Sequence, residues 1–95
     1  MIVSKNVKWG EDVTIDVEVN TNLKLNTLKC SCNCTSPSWY KTDTGYTITV
    51  KTKMPIYDSR LNPEFTVNRK CTITYINGET EVVNYNFNLN NNAIN

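Results

Sequence analysis

Hydrophobic and polar residues alternate along most of the chain. In VTIDVEV, Val13, Ile15, Val17 and Val19 fall on one side while Thr14, Asp16 and Glu18 fall on the other, the period-two signature of a half-buried strand. YTITVKTK repeats the pattern, with Tyr46, Ile48 and Val50 opposed to Thr47, Thr49 and Lys51. NLKLNTLKCSCNC opens with Leu23 and Leu25 in phase and continues with Leu28, Cys30, Cys32 and Cys34 one step out of it, so a bulge or short turn near Asn26-Thr27 is expected. Further on, Asn77-Gly78 separates two alternating runs and predicts a hairpin closed by a two-residue type I′ turn. Cys71, Ile73 and Tyr75 would share one face of its first arm, and Val83, Tyr85, Phe87 and Leu89 one face of its second.

The segments between these runs carry turn chemistry. SPSWYKTDTG reads as a loop, because Ser36-Pro37 and Asp43-Thr44-Gly45 favour turns. MPIYDSRLNPE contains Pro55 and Pro63 and predicts an irregular crossover between sheets. No internal repeat, heptad or helical period interrupts the pattern. The expected fold is therefore all-β, an immunoglobulin-like antiparallel β-sandwich of about seven strands. It would form one domain over residues 1–90, with 91–95 as a flexible C-terminal tail.

Composition narrows the function classes. At 95 residues the chain can bury only about 60–65% of its unfolded surface, enough for one thin core. The net charge is +1 and the cations are dispersed, whereas phosphate binding needs them clustered, so no nucleic-acid partner is expected. No apolar stretch is long enough to span a bilayer, and no membrane partner is expected either. MIVSKNVKWGED does not read as a secretory signal, which points to a reducing cytoplasm with free thiols. In a secreted context, Asn33-Cys34-Thr35 would instead be a glycosylation acceptor. Fifteen asparagines and thirteen threonines suit short strands joined by tight turns. The absence of histidine removes the commonest general acid and base. Asp12, Asp16 and Glu18 alternate on a solvent face, and Ser36 and Ser38 have no base partner in the sequence. No enzyme and no cofactor are expected.

CSCNC concentrates three of the four cysteines. Alternate residues of an extended strand lie about 6.6–6.8 Å apart, which argues against bonding Cys30 to Cys32 or Cys32 to Cys34. A bridge from one of the three to Cys71 is open if the strands face each other. A zinc site normally uses two C-x₂₋₄-C pairs, a spacing this chain lacks, although a metal set of Cys30, Cys32, Cys34 and Cys71 stays as the alternative. Packing as free thiols is the expectation, since cysteine behaves as a small buried hydrophobe and would continue the face begun by Leu28.

Large amphipathic or apolar side chains in segments without clear core periodicity mark candidate contact sites. They are Trp9, Trp39, Tyr40, Met54, Ile56 and Tyr57, the aromatic ones being residue types enriched at interface hot spots, with the alternatives that one tryptophan plugs an end of the sandwich and that Met54-Pro55-Ile56-Tyr57 covers an open sheet edge. Met1-Ile2-Val3 would add a strand to a neighbour's sheet.

The order of TIDVEVNTN, LKLNTLKCSCNCTSPSW, GYTITVKTK and a C-terminal hairpin resembles a bacterial domain family of unknown function, itself similar to immunoglobulin-like domains of the centrosomal and ciliary ASPM/hydin type. The family signature is a Cys-Gly-Cys-Thr step followed by a proline and an aromatic or acidic residue. Here Cys32-Asn33-Cys34-Thr35 and Pro37 occupy it, with Asn33 in place of glycine, an extra Cys30 and a long insertion from Met54 to Lys70. The resemblance implies the fold rather than an activity. The asparagine-rich ending and small size also resemble accessory proteins of AT-rich bacteriophages. That resemblance implies a non-enzymatic module carried in many copies on a virion, its partner the major capsid or another virion protein, with the host cytoplasm as the place of assembly. A metal-binding protein and a bacterial adhesion or scaffold module are the alternatives.

Overall fold

The computed structural model describes residues 1–60 and 62–90. Among them are seven strands: β1 (Ile2–Val7), β2 (Asp12–Asn20), β3 (Leu25–Cys30), β4 (Thr35–Lys41), β5 (Gly45–Lys53), β6 (Phe65–Tyr75) and β7 (Thr80–Leu89). They build one sheet in the order β1-β7-β6-β3 and a second in the order β2-β5-β4. This is an all-β sandwich with the Greek-key strand order of immunoglobulin-type domains, except that β1 lies beside β7 instead of β2. No helix is long and apolar enough to cross a membrane among the described residues.

The alternation seen in the sequence decides which faces meet. Val13, Val17 and Val19 of β2 and Tyr46, Ile48 and Val50 of β5 are buried, as are Cys71, Ile73 and Tyr75 of β6 and Val83, Tyr85, Phe87 and Leu89 of β7. These side chains form a single core cluster between the sheets. The sheets are also tied across the core by hydrogen bonds. Leu25 N donates to the Tyr46 hydroxyl at 2.9 Å, and Arg69 Nη1 reaches from β6 to the Lys53 carbonyl at 2.8 Å and to the Thr52 hydroxyl. The predicted bulge is present: the β3–β6 register slips between Leu25 and Thr27, which keeps both Leu25 and Leu28 turned inward.

Four local expectations are corrected. Ser36 to Lys41 is not loop but most of β4, an edge strand in which Pro37 lacks a backbone donor at little cost because only one side of the strand is paired. The N-terminal residues do not wait for a neighbour's sheet: β1 pairs in parallel with β7 of its own chain, from Ile2 opposite Asn84 to Val7 opposite Leu89, so the sandwich is not wholly antiparallel. The β6–β7 turn is not type I′. Gly78 N donates to the Tyr75 carbonyl and Tyr75 N to the Glu79 carbonyl, giving a three-residue loop in which Gly78 alone has positive φ, at 90°. Finally, β3 ends at Cys30 instead of running through CSCNC. The irregular crossover from β5 in one sheet to β6 in the other is present as predicted, described over 54–60 and 62–64. The tail expected at 91–95 lies outside the described residues.

Two tyrosines differ inside the core. Tyr75 donates its hydroxyl to Glu81 Oε2 at 2.9 Å, and burial together with that carboxylate pushes its ionisation up to about 12. The Tyr85 hydroxyl is shut away from solvent with no hydrogen-bond partner among the described residues, and burial pushes it up to about 12. An enclosed, unpaired hydroxyl opposes folding. Tyr85→Phe should therefore raise the unfolding free energy by about 1 kcal/mol in urea titrations. Both phenols ionise later in the folded chain than in the unfolded one, so their contribution is full below about pH 10 and is lost as pH rises through about 12. Phenolate absorbance in the folded Phe variant should show one late-ionising tyrosine fewer.

Candidate functional site

The six side chains singled out for contact do not form one patch. Trp9 is only 6% exposed and Met54 1%, so both are core residues. Trp9 plugs the end of the sandwich where β1 turns into β2: its Nε1 donates to the Pro63 carbonyl at 3.1 Å, and its ring meets Tyr57 edge-on at 5.2 Å. Met54 is held there by its backbone N donating to the Glu11 carbonyl. Tyr57 is half-buried against Trp9, which leaves Ile56, at 75% exposure, as the free apolar side chain of that segment. Trp39 and Tyr40 stand apart on edge strand β4. Trp39 is 43% exposed and rests edge-on against Tyr46 at 5.4 Å, whereas Tyr40 points to the outer face at 60% exposure. Their register partners Ile48 and Thr47 lie toward the far end of β5 from Met54.

The cysteines also depart from expectation: none is free. Cys30 and Cys71 face each other across β3 and β6 with Cα atoms 4.0 Å apart, at a site that exchanges no ladder hydrogen bonds and so brings side chains closest. They form a disulfide, the cross-strand option left open by the sequence. Cys32 and Cys34 form the second. An extended strand would hold these two residues too far apart to bond, but the chain turns at 31–34, Thr35 N donating to the Cys32 carbonyl at 3.1 Å, and the Cα separation falls to 5.1 Å. With both pairs bonded, the alternative metal set of Cys30, Cys32, Cys34 and Cys71 has no thiolates to offer in this state.

The most distinctive surface is built of amides instead of aromatic rings. On β7, Asn84, Asn86 and Asn88 alternate with buried Tyr85, Phe87 and Leu89, so all three amides stand on the outer face of the four-stranded sheet. Register extends each into a row: Ile2, Asn84 and Lys70; Ser4, Asn86 and Asn68; Asn6, Asn88 and Thr66. Thr72 and Thr74 of β6 and Thr27 of β3 continue the face. Lys70 and Lys29 are its charged members on these paired strands. Ser31, Asn68, Arg69, Lys70, Asn84 and Asn86 line a shallow depression in it. The outer face of the other sheet differs, since Asp16, Glu18 and Lys51 stand among its threonines and Thr49 donates to Asp16 at 2.6 Å.

An amide both donates and accepts. A two-sided array of asparagines on a rigid sheet can therefore pair with the backbone and side-chain groups of another protein without stripping water from a charge. The signal was present in the sequence as NYNFNLN, where the polar half of the alternation is entirely asparagine. Away from this face, Arg60 pairs with Asp58 on the exposed crossover, holding the Asp58 carboxyl below its usual range and the Arg60 guanidinium above its own. Such an exposed pair adds little to stability. No group of three or more His, Cys, Asp or Glu side chains converges to hold a metal among the described residues.

Comparison with protein-family models, with curated proteins and with solved structures gives no significant match to this chain.

Proposed function

We propose that this chain is a non-enzymatic interaction module that docks through the outer face of its β1-β7-β6-β3 sheet onto a bacteriophage capsid, in many copies, as an auxiliary protein. The observation that carries the reading is the asparagine array of β7 flanked by Ser4, Asn6, Thr66 and Asn68, a hydrogen-bonding surface of amides and hydroxyls whose charged members are Lys29 and Lys70. Docking would rest on shape and on paired amides, repeated over a regular lattice of identical sites. Two disulfides favour the outside of the particle over the host cytoplasm as the place where the chain works, because disulfides persist on virion surfaces and are reduced in cytosol.

The same disulfides suit an exported adhesion module, which is the competing reading. Mass spectrometry of gradient-purified particles from the source culture separates the two. A fixed molar ratio of this chain to the major capsid protein supports decoration. Recovery only in medium free of particles defeats it. The docking face is tested with Asn68→Arg/Asn86→Arg, which places two guanidiniums in the centre of the array. The variant should stay folded, at a cost of about 1 kcal/mol for two like charges directly opposite on β6 and β7, and fail to rebind particles stripped of the chain. Binding at parental levels would remove this face from the proposal.

A further inference from the structure

The two disulfides are unlike in reach and surroundings. Cys30–Cys71 lies within the β3–β6 ladder, with Cys71 in the core and Cys30 half-buried. Cys32–Cys34 lies on the turn that carries the chain from β3 to β4, with Cys34 exposed and Cys32 half-buried. Its bond closes a loop of only three residues, so opening it releases little of the chain. Exposed disulfides are the exchangeable ones, because attack requires access to a sulfur.

The neighbours of this bond give it direction. Cys34 N donates to Cys32 Sγ at 3.2 Å, a contact that strengthens when that sulfur carries negative charge. Cys34 also shares a surface groove with Asp12, Thr14, Lys51 and Lys53. Two ammonium groups against one carboxylate make the approach to Cys34 favourable for an anion.

We propose that Cys32–Cys34 is a thiol-exchange site that accepts a small anionic thiol as a mixed disulfide on Cys34. The incoming thiol first loses its proton to water. Its thiolate attacks Cys34 Sγ, a new sulfur–sulfur bond forms, and the electron pair of the Cys32–Cys34 bond leaves on Cys32 Sγ as a thiolate held by the Cys34 N–H. One disulfide is consumed and one is made, so no outside oxidant or reductant is needed. Lys51 and Lys53 act on the approach by drawing the carboxylates of the incoming molecule. The groove beside Cys34 is built on β2 and β5 of the other sheet, and the site does not depend on the docking proposal.

The test uses the intact folded protein and glutathione as probe, with free thiols capped by N-ethylmaleimide at successive times and the sites read by peptide mass spectrometry. The expected product carries glutathione on Cys34 and maleimide on Cys32, with Cys30–Cys71 intact. Cysteamine, a cationic thiol, serves as the comparison. The ratio of glutathione to cysteamine rates should fall on the order of tenfold in Lys51→Gln/Lys53→Gln, whose side chains are exposed and outside the core. Glutathione found on Cys32, Cys30 or Cys71, an absence of adduct, or a rate ratio unchanged by the lysine substitutions would each overturn the proposal.

Discussion

Replacing Cys30 and Cys71 together by alanine is expected to lower the unfolding free energy by about 2–5 kcal/mol, a large part of the roughly 5–15 kcal/mol that holds a domain of this kind together. The two residues are 41 positions apart, and a loop of that length restricts the unfolded chain by about 4 kcal/mol in the chain-entropy account. Loss of the Cys71 sulfur from the core adds to the effect, since Cys71 is buried between the sheets. Cys32→Ala/Cys34→Ala provides the contrast. Its loop spans three residues, the same account gives under about 2 kcal/mol, and Cys34 is exposed. Urea unfolding of the two double variants beside the parent measures both. Equal losses would mean that the cross-strand bond contributes no more than the turn bond, contrary to its reach. A drop in the midpoint with a raised urea slope for the Cys30/Cys71 variant would locate the effect in a more expanded unfolded state.

Gly45→Ala should be comparably damaging for a different reason. Gly45 opens β5 opposite Asn20, where the β2–β5 ladder is about to end. A Cβ there would collide with the Val19 carbonyl oxygen and lie 2.9 Å from Thr21 N, backbone atoms that cannot swing aside as a side chain would. Its φ of 156° is a further constraint. To accept alanine, the end of the ladder has to separate, and with it the hydrogen bond from Thr21 N to the Thr44 carbonyl. A loss of about 3–5 kcal/mol is expected. Gly78→Ala is the control: its φ is positive but no atom lies near the added methyl, so only about 1 kcal/mol should be lost. Thermal melts rank the two. If Gly78→Ala proved the more harmful, backbone crowding at Gly45 would not be the dominant effect.

What the sequence made legible follows from how local each cause is. The alternations of Val13 to Val19, Tyr46 to Val50 and Val83 to Leu89 are single-strand patterns, and each side chain was found on the expected side. The β3 bulge was readable because the phase slip is written within three residues. Less was legible where the deciding partner is distant. Trp9 has few apolar neighbours in sequence, and its place in the core depends on Pro63, Tyr57 and Phe65, which the crossover returns to it. β4 reads as a loop because serines and Pro37 dominate it, yet its pairing with β5 outweighs those local preferences. At the hairpin, Asn77-Gly78 announced a turn but not its type, because Asn77 stays at negative φ and Gly78 alone takes the left-handed position. The asparagine face was encoded in NYNFNLN, but asparagine is usually read as a turn residue. Only the flanking strands β1 and β6 turn those amides into a surface.

The pairing of β1 with β7 also bears on how the chain is made. Met1 donates its terminal amine to the Val82 carbonyl, 81 positions later, and among the described residues β1 has no other strand beside it in the sheet. On the ribosome, Ile2–Val7 is therefore synthesised early and left without its partner until Thr80–Leu89 has emerged from the exit tunnel. At roughly 5–20 residues per second, that interval lasts on the order of several seconds. Through it the nascent chain carries an unsatisfied edge, the kind of segment that holding chaperones shield. A late-closing β1 makes the emergence of β7, rather than the first collapse, the moment at which the four-stranded sheet becomes complete.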